Sequence, residues 1–126
     1  MEVPDNLLYS KDHEWIELVN DKFRIGITEY AQGELGDIVF MELPEIGLKI
    51  VEGDTIGTIE AVKTVADVYA PISGEIIDIN TDLESDPELI NNDPYVKGWI
   101  VSIKADKEID SSKYLNASQY KEFIGK

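Results

Sequence analysis

The segment HEWIELVNDKFRIGI, from His13 to Ile27, alternates apolar and polar residues on both sides of Asn20-Asp21. Few arrangements satisfy that pattern. A two-residue hairpin turn fits Asn20-Asp21, because its central positions need positive φ, which Asn and Asp tolerate. Val19 then opposes Lys22, Leu18 opposes Phe23, Glu17 opposes Arg24 and Ile16 opposes Ile25. One face carries Ile16, Leu18, Phe23 and Ile25, the other the Glu17/Arg24 pair. A slip of one residue would invert both faces, so the register is well specified.

The rest of the chain reads as more short strands. TEYAQGELG predicts a helix with Thr28 as N-cap, ended by Gly33 or Gly36. Ile38 to Leu43 is apolar on both faces, stops at Pro44, and predicts a buried strand. Further strands are expected around Leu48–Val51, Thr55–Ala61, Thr64–Ala70, Glu75–Asn80 and in GWIVSIKA. Asp86 followed by Pro87 predicts one helical turn with Pro87 at its first position. Asn116 and Gln119 form the pattern of a capping box, with Leu115 and Tyr120 spaced for a hydrophobic staple. A C-terminal helix over about 116–125 follows. VEGDTIGTIEAVK and SGEIIDIN echo each other, as two facing half-sheets or as two ordinary hairpins alike by chance. Strand spacing of this kind points to a β-sandwich or flattened barrel.

Composition removes several functions. A chain of 126 residues fits one domain, 1–126, whose β core spans about 14–105. Without cysteine there are no disulfides, thiolate metal sites or cysteine nucleophiles. A formal net charge of -15 opposes binding to nucleic acid and to anionic membranes. It suits transient docking of basic partner proteins by a monomer, or simply solubility. No apolar run is long enough to span a membrane. The start, MEVPDNLLYSKDHEW, is acidic and resembles neither a signal nor a transit peptide, so a cytoplasmic location is expected.

One lysine stands apart. In GTIEAVKTVADVYAPISGE, Lys63 is the only cation, between two strand-like runs. With Val62-Lys63 as a two-residue bend, Ala61 opposes Thr64, Ile59 opposes Ala66 and Gly57 opposes Val68. Glu60 against Val65, Thr58 against Asp67 and Ile56 against Tyr69 form the other face. Val is costly where such turns need positive φ, which marks a strained or functional site. The alternative is a longer turn bearing an ordinary exposed lysine. Glu60 and Asp67 nearby would favour the ammonium form, which makes Lys63 a poor nucleophile of its own. An attachment point acylated by another enzyme fits a lone amine on a protruding bend.

EAVKTVADVYAPISGE closely resembles the lipoyl-attachment segment of the glycine cleavage system H protein family. YSKDHEW, GITEYAQGELGDIVFMELPEIG and LINNDPYVKGWI resemble the same family in the same order. The likeness extends from Leu8 to the C-terminal helix. Biotinyl carriers share the architecture but usually place Met on both sides of the lysine, where this chain has Val62 and Thr64. The resemblance implies a mainly β barrel-sandwich hybrid of the lipoyl/biotinyl-domain type, with short helices and a C-terminal one. It also implies lipoate, covalently bound as N6-lipoyl-lysine at Lys63, and a carrier rather than an enzyme. In the family, a pyridoxal-phosphate glycine decarboxylase loads an aminomethyl group on the arm. An aminomethyltransferase removes it, dihydrolipoamide dehydrogenase reoxidises the dithiol, and a lipoate ligase or a lipoyl/octanoyl transferase attaches the arm. An alternative role is an octanoyl/lipoyl relay in protein lipoylation, which the lysine motif does not separate from the first.

By the same resemblance, Glu60 and Asp67 serve recognition by the lipoylating enzyme. His13, the only histidine, lines a cleft that shelters the loaded arm, or is simply structural. No metal site and no catalytic set of nucleophile and base is expected. One departure stands out. Where the family commonly has Gly after Pro-Tyr, this chain has Val96, which puts that loop's turn and its partner contacts in doubt.

Overall fold

Strands β2 (Glu14–Val19) and β3 (Lys22–Ile27) pair in the register read from their alternation, from Val19 opposite Lys22 to Glu14 opposite Ile27. Asn20 and Asp21 take φ of 52° and 67°, as a primed hairpin turn requires. The computed structural model describes residues 1–125. Lys126, the last residue of the expected domain, lies outside them.

The other strands are β1 (Leu8–Tyr9), β4 (Ile38–Glu42), β5 (Lys49–Ile50), β6 (Thr55–Ala61), β7 (Val65–Tyr69), β8 (Gly74–Ile79) and β9 (Val101–Ala105). They form an antiparallel sheet in the order β1-β2-β3-β9-β8-β5 and a second in the order β4-β6-β7. Their inner faces share one core, which includes Ile16, Ile25, Ile38, Met41, Ile59, Val68, Ile76 and Ile103. The expected barrel-sandwich hybrid is the architecture that forms.

Helix α1 (Glu29–Leu35) begins as its sequence dictates. Thr28 Oγ1 accepts the Ala31 N–H, and Gly36 at φ 79° ends the helix while Gly33 lies within it. Helix α4 (Ala117–Phe123) has both halves of the capping box: Asn116 accepts the Gln119 N–H and the Gln119 side chain accepts the Asn116 N–H. Leu115 and Tyr120 join the cluster of Val3, Leu7, Tyr9, Trp15, Tyr95 and Ala117 that fastens α4 to the large sheet. Trp15 lies so close over Gly26 that a Cβ there would stand 2.5 Å from its ring.

Four expectations are corrected. β4 is not apolar-buried on both faces: Ile38 and Met41 point inward, whereas Val39 and Phe40 are 55% and 46% exposed. A three-stranded sheet covers the core with one face only, and a register shift between Ile38 and Phe40 resets the alternation. Ile56 does not face Tyr69. A second shift makes Thr55 the partner of Tyr69 and turns Ile56 into the core, 1% exposed. The Leu48–Val51 strand shrinks to Lys49–Ile50 at the sheet edge. The single turn expected at Pro87 is two: α2 (Asp82–Ser85), which Asp86 closes, and α3 (Leu89–Asn92), with Glu88 as N-cap. They bury Leu83 and Ile90. Val96 sits exposed in the following loop without positive φ, so its backbone does not need glycine.

Candidate functional site

The β6–β7 hairpin brings Lys63 to its tip with Ile59 opposite Ala66 and Gly57 opposite Val68, as expected. The bend is not the strained one anticipated. Val62 and Lys63 are absent from the left-handed region. The Ala61 N–H donates to Thr64 O at 2.8 Å, and the Val62 N–H turns outward to Asp37 O at 3.0 Å. The carbonyl that leads into β4 therefore holds the tip from outside, and Val pays no left-handed penalty.

Lys63 is exposed, and no carboxylate among the described residues lies in ion-pair range of its amine. Glu60 and Asp67, expected near the lysine, lie on the strands that carry it and make no ion pair with it. Glu60 is exposed opposite Val65 and Phe40. Asp67 accepts from Thr58 Oγ1 at 3.1 Å and lies farther down the strand. The Lys63 stem instead passes over Gly36, where a Cβ would stand 3.3 Å from Lys63 Cε.

A cleft of about 380 Å³ lies between α1 and β7, and its wall residue Leu35 directly precedes Gly36, over which the Lys63 stem passes. One wall is Tyr30, Ala31, Glu34 and Leu35, which a helical repeat places on one face of α1. Ala66, Asp67 and Val68 of β7 form the other, with Ile27 and Ile59 as the floor. Asp12, His13 and Glu14 line its far end. The cleft thus joins an apolar floor to four carboxyl groups: Asp12, Glu14, Glu34 and Asp67.

Glu14 is a buried acid, 2% exposed, at the start of β2. Its carboxylate accepts from Ser10 Oγ at 2.5 Å and from the Tyr69 N–H at 3.3 Å. Burial pushes its pKa up to about 7, partly offset by the Ser10 hydrogen bond. An opposite charge in the cleft would favour its ionised form. Glu14 escaped the sequence reading, yet a signal existed: two more steps of the β2–β3 register place it on the inward face with Ile16. His13 does line the cleft, with φ 68°. Its Nδ1 lies 2.9 Å from the Tyr120 hydroxyl, and burial lowers its pKa against the opposing effects of Asp12 and Glu34.

Among the described residues no group of His, Cys, Asp and Glu is placed to hold a metal, and no helix is long and apolar enough to cross a membrane.

The sequence profile described as Glycine cleavage H-protein matches residues 7–126. A glycine cleavage system H protein from Staphylococcus haemolyticus is 53% identical over 125 residues, covering 99% of both chains. One from Staphylococcus carnosus is likewise 53% identical with 99% of both chains covered. A crystal structure of a glycine cleavage system H protein from Mycobacterium marinum superposes with a TM-score of 0.90 at 38% identity, covering 98% of this chain and 100% of the other.

Proposed function

Because the chain belongs to the glycine cleavage H-protein family, and so is a carrier rather than a catalyst, we propose that Lys63 bears lipoate in amide linkage and that the cleft shelters the loaded arm. The exposed Lys63 amine, without an ion pair among the described residues and with its stem over Gly36, next to Leu35 in the wall of an acid-lined, apolar-floored cleft, is the observation that carries this reading.

The residues present fit such a group. An acylating enzyme needs an amine it can reach, and the tip offers one on a stiff hairpin. Ala31, Leu35, Ile59 and Val68 supply apolar surface for a hydrocarbon arm. When bound, the dithiolane supplies reversible thiol–disulfide chemistry and a thiol on which an aminomethyl group travels. The chain's own part is placement and shelter. Glu34 and Asp67 in its walls, with Asp12 and Glu14 at its far end, favour a cationic amine in the cleft. Glu14 meets it best as the carboxylate, so docking of such a cargo draws a proton off Glu14 in the fraction that holds one near neutral pH. Seating the arm in the cleft keeps water from a labile adduct.

The partners are then a glycine decarboxylase, an aminomethyltransferase, a dihydrolipoamide dehydrogenase and an enzyme that attaches lipoate, all met by a cytoplasmic monomer. Glu60 and Asp67, on the strands that carry Lys63, are the residues for the attaching enzyme to read. Peptide mapping after expression in a lipoate-attaching host should find one lipoyl increment, on Lys63, absent in Lys63→Arg. Reconstitution with decarboxylase and aminomethyltransferase should then support glycine cleavage. A lipoylated protein that fails there, yet passes octanoyl groups to other lipoyl domains, would move the assignment to lipoyl relay.

A further inference from the structure

A polar atom from the C-terminal helix bonds a residue that lines the cleft. The Tyr120 ring is fully buried and stacks on Tyr9 at 4.7 Å. Its hydroxyl lies 2.9 Å from His13 Nδ1 and 2.7 Å from Thr28 Oγ1. His13 lines the cleft, and Thr28 caps the helix that forms one of its walls. The backbones of the two also meet, with the Thr28 N–H donating to His13 O at 3.0 Å. Resting on the sheltering role above, we propose that Tyr120 is a positioning residue for the cleft. Its hydroxyl clamps His13 to the N-cap of α1, so that α4 sets how the cleft's end is closed.

Counting hydrogens gives the clamp a direction. Thr28 Oγ1 already accepts the Ala31 N–H at 3.2 Å, and its own hydrogen finds the Tyr120 oxygen. Burial pushes the Tyr120 phenol up to about 12, so it keeps its hydrogen, which is left for His13 Nδ1. That nitrogen must therefore be bare, and His13 is held as the tautomer with hydrogen on Nε2. The opposite direction would strand the Thr28 hydrogen at a fully buried position with no acceptor among the described residues. The clamp also accounts for the backbone of His13, whose φ of 68° is unusual for a residue other than glycine and persists only where its surroundings fix it.

The test uses two readouts. In the unlipoylated protein, histidine ¹⁵N shifts should show a bare Nδ1 and a protonated Nε2. A wild-type spectrum with hydrogen on Nδ1 overturns the proposal before any variant is made. Tyr120→Phe keeps the stacked ring and should release His13 to a mixture of tautomers. In the lipoylated, aminomethyl-loaded protein it should shorten the lifetime of the loaded arm roughly threefold to tenfold, the worth of one hydrogen bond. Tyr9→Phe is the control, since it removes a hydroxyl from the same cluster, bound to Pro4 O and touching neither His13 nor Thr28. An equal effect from Tyr9→Phe would mean general loosening and overturn the clamp. Ala31→Trp, which fills the cleft, separates the two readings. If it leaves the lifetime unchanged, the sheltering role fails and the clamp's purpose with it. If it shortens the lifetime while Tyr120→Phe does not, the clamp alone fails.

Discussion

The two bends at Asn20-Asp21 and Val62-Lys63 both close antiparallel hairpins, yet they are built on opposite plans. The first is self-sufficient: both central residues adopt positive φ, and side chains that tolerate this conformation occupy them. The second has residues that resist that conformation, and it does not adopt it. It is held by a neighbour, through the Val62 N–H on Asp37 O, with Gly36 beneath the lysine stem. A bend that only reverses the chain can carry its instructions locally. The one that holds a lysine outward is anchored to the scaffold, which fixes its direction as well as its existence.

The sharpest break in the comparison is Lys63→Arg. We expect complete loss of acyl attachment with the melting temperature unchanged, because the side chain is exposed and makes no ion pair among the described residues. Intact mass and a thermal melt check both halves. A large drop in melting temperature would mean that the second bend is structural like the first.

Exchanging the chemistry of the bends comes next. Asn20→Val with Asp21→Lys should cost about 3 kcal/mol, since two residues would be forced into the left-handed region at roughly 1–2 kcal/mol each. The reverse change, Val62→Asn, should stay within about 0.5 kcal/mol, as an exposed substitution at a position without positive φ. Denaturant unfolding of both variants measures the difference. Equal costs would erase the distinction drawn between the bends.

Glu14 joins the two hairpins: it starts β2 and accepts the N–H of Tyr69, the last residue of β7. Its folded pKa of about 7 lies above the ordinary 4.5. The folded chain therefore binds this proton more tightly than the unfolded one, and Glu14's contribution to stability declines as pH rises from about 4.5 to about 7. Across that window Glu14→Gln should gain on wild type by at most on the order of 3 kcal/mol. Unfolding curves at several pH values test this. Parallel pH profiles for the two proteins would mean that Glu14 titrates normally.

What the sequence made legible was local. The Asn20-Asp21 hairpin, the Thr28 cap and the Asn116/Gln119 box each rest on contacts within a few residues. The place of Lys63 at a hairpin tip was legible because it stood alone between two alternating runs. Ile56 and Phe40 were misplaced because a bulge inserts one residue and flips the faces beyond it, and no local signal marked these bulges. The roles proposed for Glu14 and Tyr120 were not legible for a different reason. Their meaning lies in partners far along the chain, Tyr69 for one and His13 and Thr28 for the other.

Gly36→Ala bears most directly on the anchor. Gly36 has φ 79° and ψ -153°, a combination open in practice to glycine alone, so alanine should cost about 1–2 kcal/mol. The new methyl would also stand 3.3 Å from Lys63 Cε, tighter than comfortable packing, and the flexible stem would swing away from α1. Acyl attachment should persist, since the amine stays exposed, but the arm would leave the tip on a different line from the cleft. We therefore expect near-normal lipoylation by mass and a shorter lifetime of the loaded arm. If attachment and lifetime both stay at wild-type values while stability falls, Gly36 serves only to end α1, and the anchoring of the second bend reduces to the Asp37 carbonyl.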